Sequence, residues 1–205
     1  MTDDISVFIA ESLSPKDFYE RRLDGFAANE VLKIQSCPTD YRIVLTRKYL
    51  RRAIEEADEN NYAIFHLSCH GDSDGIQLAD GTEIDWLTLA RMFKPYATLE
   101  RCLVLASCSG GHFAFTKALV KVGATFGYVF GSTDEDGVGF TDSCLAWSVL
   151  YRELIENGLE RDTLKRAVET INVIAPGKFV YRRWSGSIYQ RYPAVVPLRL
   201  KRSTV

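Results

Sequence analysis

The chain has 205 residues, 46% of them hydrophobic and 25% charged, with a formal net charge of -2. That length and apolar content suit one globular domain over residues 1–205 with a sizeable core, and the near-neutral charge gives no global argument for a nucleic acid or membrane partner. No apolar run approaches transmembrane length, and the opening Met1-Thr2-Asp3-Asp4-Ile5 lacks the basic and apolar regions of a signal peptide. The five cysteines (37, 69, 102, 108 and 144) are scattered, with no Cys-x-x-Cys pair. They fit a reducing cytoplasm better than a disulfide framework.

Ile5 to Ala10 reads as a first strand, and Ser14-Pro15 as the start of a helix running to about Ile34, with Ser as cap and Pro in the first turn. Tyr41 to Leu45 is the next strand. Thr46 then caps a helix whose solvated face carries Arg47, Lys48, Arg51, Arg52, Glu55 and Glu56. Ala63-Ile-Phe-His-Leu-Ser-Cys-His-Gly71 is a third strand, ending at His70-Gly71. From Gly75 to Ile84, apolar residues flank an Asp80-Gly81 turn, the mark of a β-hairpin, here lying over the rim near His70. Asp85 caps a short helix through Met92 and Phe93, which Pro95 helps to end. Cys102-Leu-Val-Leu-Ala-Ser-Cys-Ser-Gly-Gly111 is a further strand, followed by helical spacing over Phe113 to Val122. A strand over Thr125 to Gly131 feeds the acidic loop Ser132 to Gly137. Helices follow over Thr141 to Asn157 and Arg161 to Ile174.

The tail from Lys178 to Val205 holds seven Lys/Arg and no Asp or Glu, interleaved with Phe179, Tyr181, Trp184, Tyr189 and Tyr192. Stacking aromatics among basic residues are one way to hold single-stranded nucleic acid. The favoured reading is an antiparallel hairpin turning at Ser185-Gly186, which adds charged edge strands to the sheet. The alternation of strands and helices predicts an α/β fold: a mainly parallel sheet with helices on both faces and a C-terminal antiparallel hairpin.

The chemistry concentrates where two buried strands end. If they lie side by side, His70 and Cys108 share one rim of the sheet, the layout of a Cys/His nucleophilic site. A thiol that titrates near 8.5 needs a base or a helix N-terminus to favour the thiolate. Here Gly110-Gly111 lead Cys108 toward the helix that begins near Phe113. Gly71, without a side chain, lets its amide approach a substrate carbonyl and form an oxyanion hole with the amide of Cys108. Cys37, Cys102 and Cys144 read as small apolar filler. Cys69, next to His70 in a strand, faces the opposite side, and His66 reads as a hydrogen-bonded core histidine. His112 reads as a residue of the helix surface or a support of the site. His66, Cys69, His70, Cys108 and His112 lack the paired short spacings of a zinc site, so no metal or cofactor is expected. Asp134, Glu135 and Asp136 are the candidates for substrate binding: carboxylates on the rim select Arg or Lys before the scissile bond through charge-assisted hydrogen bonds.

His70-Gly71, then Leu78-Ala-Asp-Gly81, then Ala106-Ser-Cys-Ser-Gly-Gly111 resemble the CHAT domains, caspase-like cysteine peptidases related to separase, gingipain and the metacaspases. Ala118 to Ala124 and Leu150 to Gly158 are similar too, in the right order. The resemblance covers roughly residues 4 to 175. It implies a caspase-like three-layer sandwich, His70 as general base or acid, Cys108 as nucleophile and a protein or peptide as substrate. It also implies an effector of bacterial defence or signalling that is switched on by a sensor or regulatory protein. The sequence departs from the usual pattern at His66, at Cys69 and in the loop from Gly131 to Gly137. The competing reading is an inactive CHAT-like scaffold or partner-binding subunit.

Overall fold

The computed structural model describes residues 5–134, 137–175 and 178–194. Its elements in chain order are β1 (Val7–Ser12), α1 (Pro15–Glu20), α2 (Asp24–Ile34), β2 (Thr39–Ile43), α3 (Arg47–Glu59), β3 (Ile64–Gly71), β4 (Gly75–Gln77) and β5 (Glu83–Asp85). There follow α4 (Trp86–Phe93), β6 (Cys102–Ala106), α5 (Phe113–Val122), β7 (Tyr128–Ser132), α6 (Phe140–Asn157), α7 (Arg161–Ile174), β8 (Phe179–Trp184) and β9 (Tyr189–Tyr192).

The main sheet has the order β2-β1-β3-β6-β7-β8-β9. β2, β1, β3, β6 and β7 run parallel; β8 and β9 join antiparallel, as the tail reading expects. Strands buried on both faces explain the near-continuous apolar runs. Phe8, Phe65, Leu67, Leu103 and Leu105 face α3, α4 and α5, while Val7, Ile9, Ile64 and Val104 face α2, α6 and α7. In α3 the buried positions Leu50, Ala53, Ile54 and Ala57 recur at three- and four-residue spacing, so one stripe meets the sheet and the basic face stays in water. Trp147 of α6, 1% exposed, packs edge-on against Phe130, Phe179 and the ring of His66. Each fully buried aromatic or aliphatic side chain of this kind contributes about 1.5–3 kcal/mol.

The single helix expected from Pro15 to Ile34 is two. Arg21 takes a left-handed conformation (φ 56°) and closes α1, and α2 restarts at Asp24. The break is a site-building feature. It lets the amide of Gly25 reach Oε1 of Glu11 at 2.8 Å and the carboxylate of Asp24 reach Ser68 Oγ at 2.5 Å. β1 also runs two residues beyond the expected Ala10, because its parallel register with β3 continues to the pair Ser12 and Cys69. The Asp80-Gly81 hairpin is present, with Gly81 at φ 83°, and β4 pairs with the end of β3 so that Gln77 lies opposite His70. Among the described residues no helix is long and apolar enough to cross a membrane.

Candidate active site

β3 and β6 are adjacent and parallel, and their register pairs Ser68 with Ala106. The rim expected from two neighbouring strand ends therefore exists, and His70 and Cys108 line one cavity beyond it. Cys108 itself lies past the end of β6, in a tight loop. Gly110 N donates to Ser107 O at 3.1 Å and His112 N to Ser109 O at 2.9 Å, with Ser109 left-handed at φ 62°. The helix starts only at Phe113, with His112 at the cap position. Cys108 is thus separated from the amides of α5 by this extra turn, rather than standing directly before them. Gly110 and Gly111 serve a different purpose from a simple lead into the helix. A Cβ on Gly110 comes within 2.6 Å of Leu105 O, and one on Gly111 within 2.8 Å of Gly131 O, so the bare backbones let the loop lie flat against β6 and β7.

Gly71 ties the two candidate residues together. A Cβ there would lie 3.0 Å from the carbonyl oxygen of Cys108, 3.0 Å from that of Gly75 and 3.2 Å from Ser107 Cβ. The His70-Gly71 backbone is in contact with the loop that carries the thiol. Over the thiol lies the loop after β7: Gly137, at φ 94°, is so close that a Cβ on it would stand 3.5 Å from Cys108 Sγ. The cavity left between these loops is only about 70 Å³, with Asp24, Ser132, Phe140 and Trp147 among its walls. Ser107 Oγ, buried beside Cys108, has no hydrogen-bond partner among the described residues.

His70 has a partner that the sequence did not reveal. Its Nε2 lies 2.8 Å from Oδ2 of Asp17 in α1. The same carboxylate accepts from Ser14 Oγ and has Arg22 Nη1 at 4.0 Å. Burial pushes the Asp17 carboxyl up, but the hydrogen bonds from Ser14 and His70 and the charges of His70 and Arg22 outweigh it, and the group ends below its ordinary range. An ionised Asp17 keeps the proton of His70 on Nε2 and turns Nδ1 away as the acceptor. Ser14-x-x-Asp17 is the local signal that was available, read only as a helix start.

The other residues singled out are placed as follows. His66 is fully buried, its Nδ1 2.6 Å from Tyr151 Oη, and burial pulls the imidazole down to about 3. It is a core histidine. Cys69 packs on the α3 to α5 face and burial pushes its thiol well up; Cys37 and Cys144 go up to about 11 and Cys102 to about 12 for the same reason. His112 Nε2 lies 3.2 Å from Thr133 O, bracing the two rim loops. Asp134 is buried at 7% exposure and ion-paired with Lys178 at 3.0 Å, while Glu135 and Asp136 lie outside the described residues.

Beneath the cavity sits a pair of buried carboxylates. Glu11 accepts from Gly25 N and Tyr41 Oη at 2.5 Å; Asp24 accepts from Ser68 Oγ and, at 3.1 Å, from Trp147 Nε1. No cation neutralises either among the described residues. Burial pushes Glu11 up to about 7, with the charge of Asp24 adding to the shift, and burial likewise pushes Asp24 up.

No protein-family model matches the chain, and no curated protein matches its sequence. Among solved structures it is similar to the crystal structure of the Arg-specific cysteine proteinase gingipain R, with a TM-score of 0.55 and 12% identity over 93% of its own length. It spans 49% of that protein. At this identity the likeness speaks for the fold. With its mainly parallel central sheet, helices on both faces and antiparallel C-terminal strands, the chain has the caspase-like fold.

Proposed function

We propose that this chain is a cysteine endopeptidase in which Cys108 is the nucleophile and His70 the base. One observation carries the reading: His70, held by Asp17, and Cys108, in the loop touching Gly71, line the same cavity at the ends of neighbouring parallel strands. Nδ1 of His70 takes the thiol proton, and the thiolate attacks the substrate carbonyl. The amides of Gly71 and Cys108 receive the developing oxyanion. His70 then gives its proton to the leaving amine, and water, deprotonated by the same nitrogen, hydrolyses the thioester. Asp17 acts through His70 by fixing its tautomer and favouring the imidazolium that forms.

The substrate in this reading is a protein or peptide, with a basic residue before the scissile bond drawn by the acidic loop that contains Asp134, Glu135 and Asp136. The chain acts as an effector switched on by a sensor or regulatory protein. Support for the switch comes from the narrow space at the thiol: a cavity of about 70 Å³, with Gly137 beside Cys108 Sγ, is a place where a regulator would act on substrate entry.

The test is cysteine alkylation at neutral pH, with labelled sites located by mass spectrometry, in the wild type and in His70→Ala. Fast labelling of Cys108 that collapses in His70→Ala is the expected result. Labelling of Cys108 no faster than that of Cys37, and unchanged in His70→Ala with peptide substrate present, rejects the dyad in favour of an inactive scaffold.

A further inference from the structure

The basic hairpin β8–β9 contains an arrangement that the peptidase reading does not use. Its register sets Arg182 directly opposite Arg191, on the sheet face shared with α5. Like charges in directly opposed strand positions repel, and a guanidinium out of water needs an anion to offset its lost hydration. Arg182 is only 6% exposed, yet among the described residues its side chain makes one hydrogen bond, from Nε to the carbonyl of Gly111 at 2.8 Å. Arg191 reaches Thr133 Oγ1 from Nη2 at 3.4 Å, and its buried Nε has no partner among the described residues. Among the described residues no carboxylate forms an ion pair with either. Asp134, next to Thr133, is engaged by Lys178. Burial, with the charge of Arg191 added, pulls the Arg182 guanidinium down to about 10. Among the described residues no carboxylate balances these two cationic forks.

The same place receives the start of α5. The Arg182 guanidinium carbon lies 5.9 Å from the ring of Phe113, the first residue of that helix, and Gly111, whose carbonyl it holds, lies two residues before. Among the described residues no side chain caps α5, so its first amides point outward as donors and the helix dipole adds positive potential. Two arginine forks and a helix N-terminus are a donor set for a tetrahedral, multiply charged oxyanion more than for a single carboxylate.

We propose that Arg182, Arg191 and the N-terminus of α5 form a binding site for a phosphate group. Arg182 holds the carbonyl of Gly111, in the loop of Cys108, and Arg191 reaches Thr133, in the loop after β7, so a ligand bound by both arginines is placed to tie the two rim loops together. The site stands on its own geometry and does not depend on the chain being a peptidase.

The experiment is thermal unfolding and equilibrium titration of the full chain with inorganic phosphate, a nucleoside 5′-monophosphate and a phosphoserine peptide, against chloride at matched ionic strength. Arg191→Gln and Arg182→Gln are compared with the wild type. Saturating phosphate is expected to raise the wild-type Tm by roughly 5 °C, as mass action on a native-state site requires. Arg191→Gln, at a half-buried edge position, is expected to fold with an unchanged or higher Tm, since one repelling charge is gone, and to weaken binding at least about tenfold. Tighter binding of the nucleotide or of the phosphoserine peptide than of inorganic phosphate identifies the source of the phosphate group. No saturable effect of any probe on the wild type, or equal binding by Arg191→Gln, overturns the proposal.

Discussion

Asp17 Oδ2 receives Nε2 of His70 at 2.8 Å across 53 residues of sequence, so the short helix after the first strand orients the imidazole at the end of the third. Asp17 is nearly buried and ionised, whereas the His70 side chain is 41% exposed. The pair is therefore set to orient the ring, not to store a buried charge. Asp17→Asn keeps the shape and lets the amide turn its own donor toward Nε2, favouring the wrong tautomer. The expected result is a fall in kcat of roughly 10²-fold with KM little changed, and a matching fall in the Cys108 alkylation rate at neutral pH. Unfolding by denaturant should move by no more than about 1 kcal/mol, since part of the pair faces water. A loss of stability without loss of kcat would assign Asp17 to structure alone.

Gly71 makes a separable prediction. Its φ does not lie in the left-handed region, so alanine is not strained by conformation; the obstacle is space. The new Cβ meets two carbonyl oxygens at 3.0 Å, so the loop of Cys108 must shift by tenths of an ångström. Gly71→Ala is expected to keep its circular dichroism spectrum and to lose about 10²-fold in kcat, the scale of one displaced oxyanion donor. Full activity in a folded Gly71→Ala removes the Gly71 amide from the oxyanion hole.

Substrate choice is tested with peptides that differ only in the residue before the scissile bond. Arg and Lys peptides are expected to exceed Leu and Asp peptides in kcat/KM by at least about tenfold, the scale of a charge-assisted hydrogen bond. Asp134→Asn should narrow that gap. Lys178→Met, which removes the cation 3.0 Å from Asp134, should widen it. Equal cleavage of Arg, Leu and Asp peptides rules out the acidic loop as a specificity element.

What the sequence made legible follows from which interactions are local. β3 and β6 were readable because short apolar runs closed by His70-Gly71 and by Ser109-Gly110-Gly111 carry their own boundaries, and α3 because Leu50, Ala53, Ile54 and Ala57 repeat with the helix. The edge hairpin was readable from Ser185-Gly186. Three features were not, and each depends on distant parts of the chain. Apolar residues continue past Arg21 at helical spacing, so nothing local ends α1 there; the break serves Glu11 and Ser68, in β1 and β3. Asp17 is one of 27 acidic residues until α1 is placed against His70. Arg182 and Arg191 oppose one another only in the register fixed by the hairpin turn.

Glu11 offers a prediction whose sign follows from linkage. Its carboxyl stands near 7 in the fold, against 4.5 for the ordinary group, because burial disfavours the charge. The folded state therefore holds a proton that the unfolded state has released between these values, and the stability it contributes is present below pH 4.5 and lost as pH rises to 7. Gln at this position keeps an acceptor for the Gly25 amide and offers its NH₂ to Tyr41 Oη, with no charge to bury. The difference in unfolding free energy between Glu11→Gln and the wild type should be near zero at pH 4. It should grow through pH 5 and 6, and level above pH 7 with the variant more stable by on the order of 3 kcal/mol. His66→Phe should change with the opposite sign: the imidazole, near 3 in the fold and 6.5 when ordinary, lowers wild-type stability as pH falls below 6.5. Denaturant titrations from pH 4 to 8 on the three proteins measure both slopes. A Glu11→Gln difference that stays flat with pH would mean that Glu11 is already ionised at pH 5, and that Tyr41 and the amides of Gly25 and Phe26 hold its charge despite its burial.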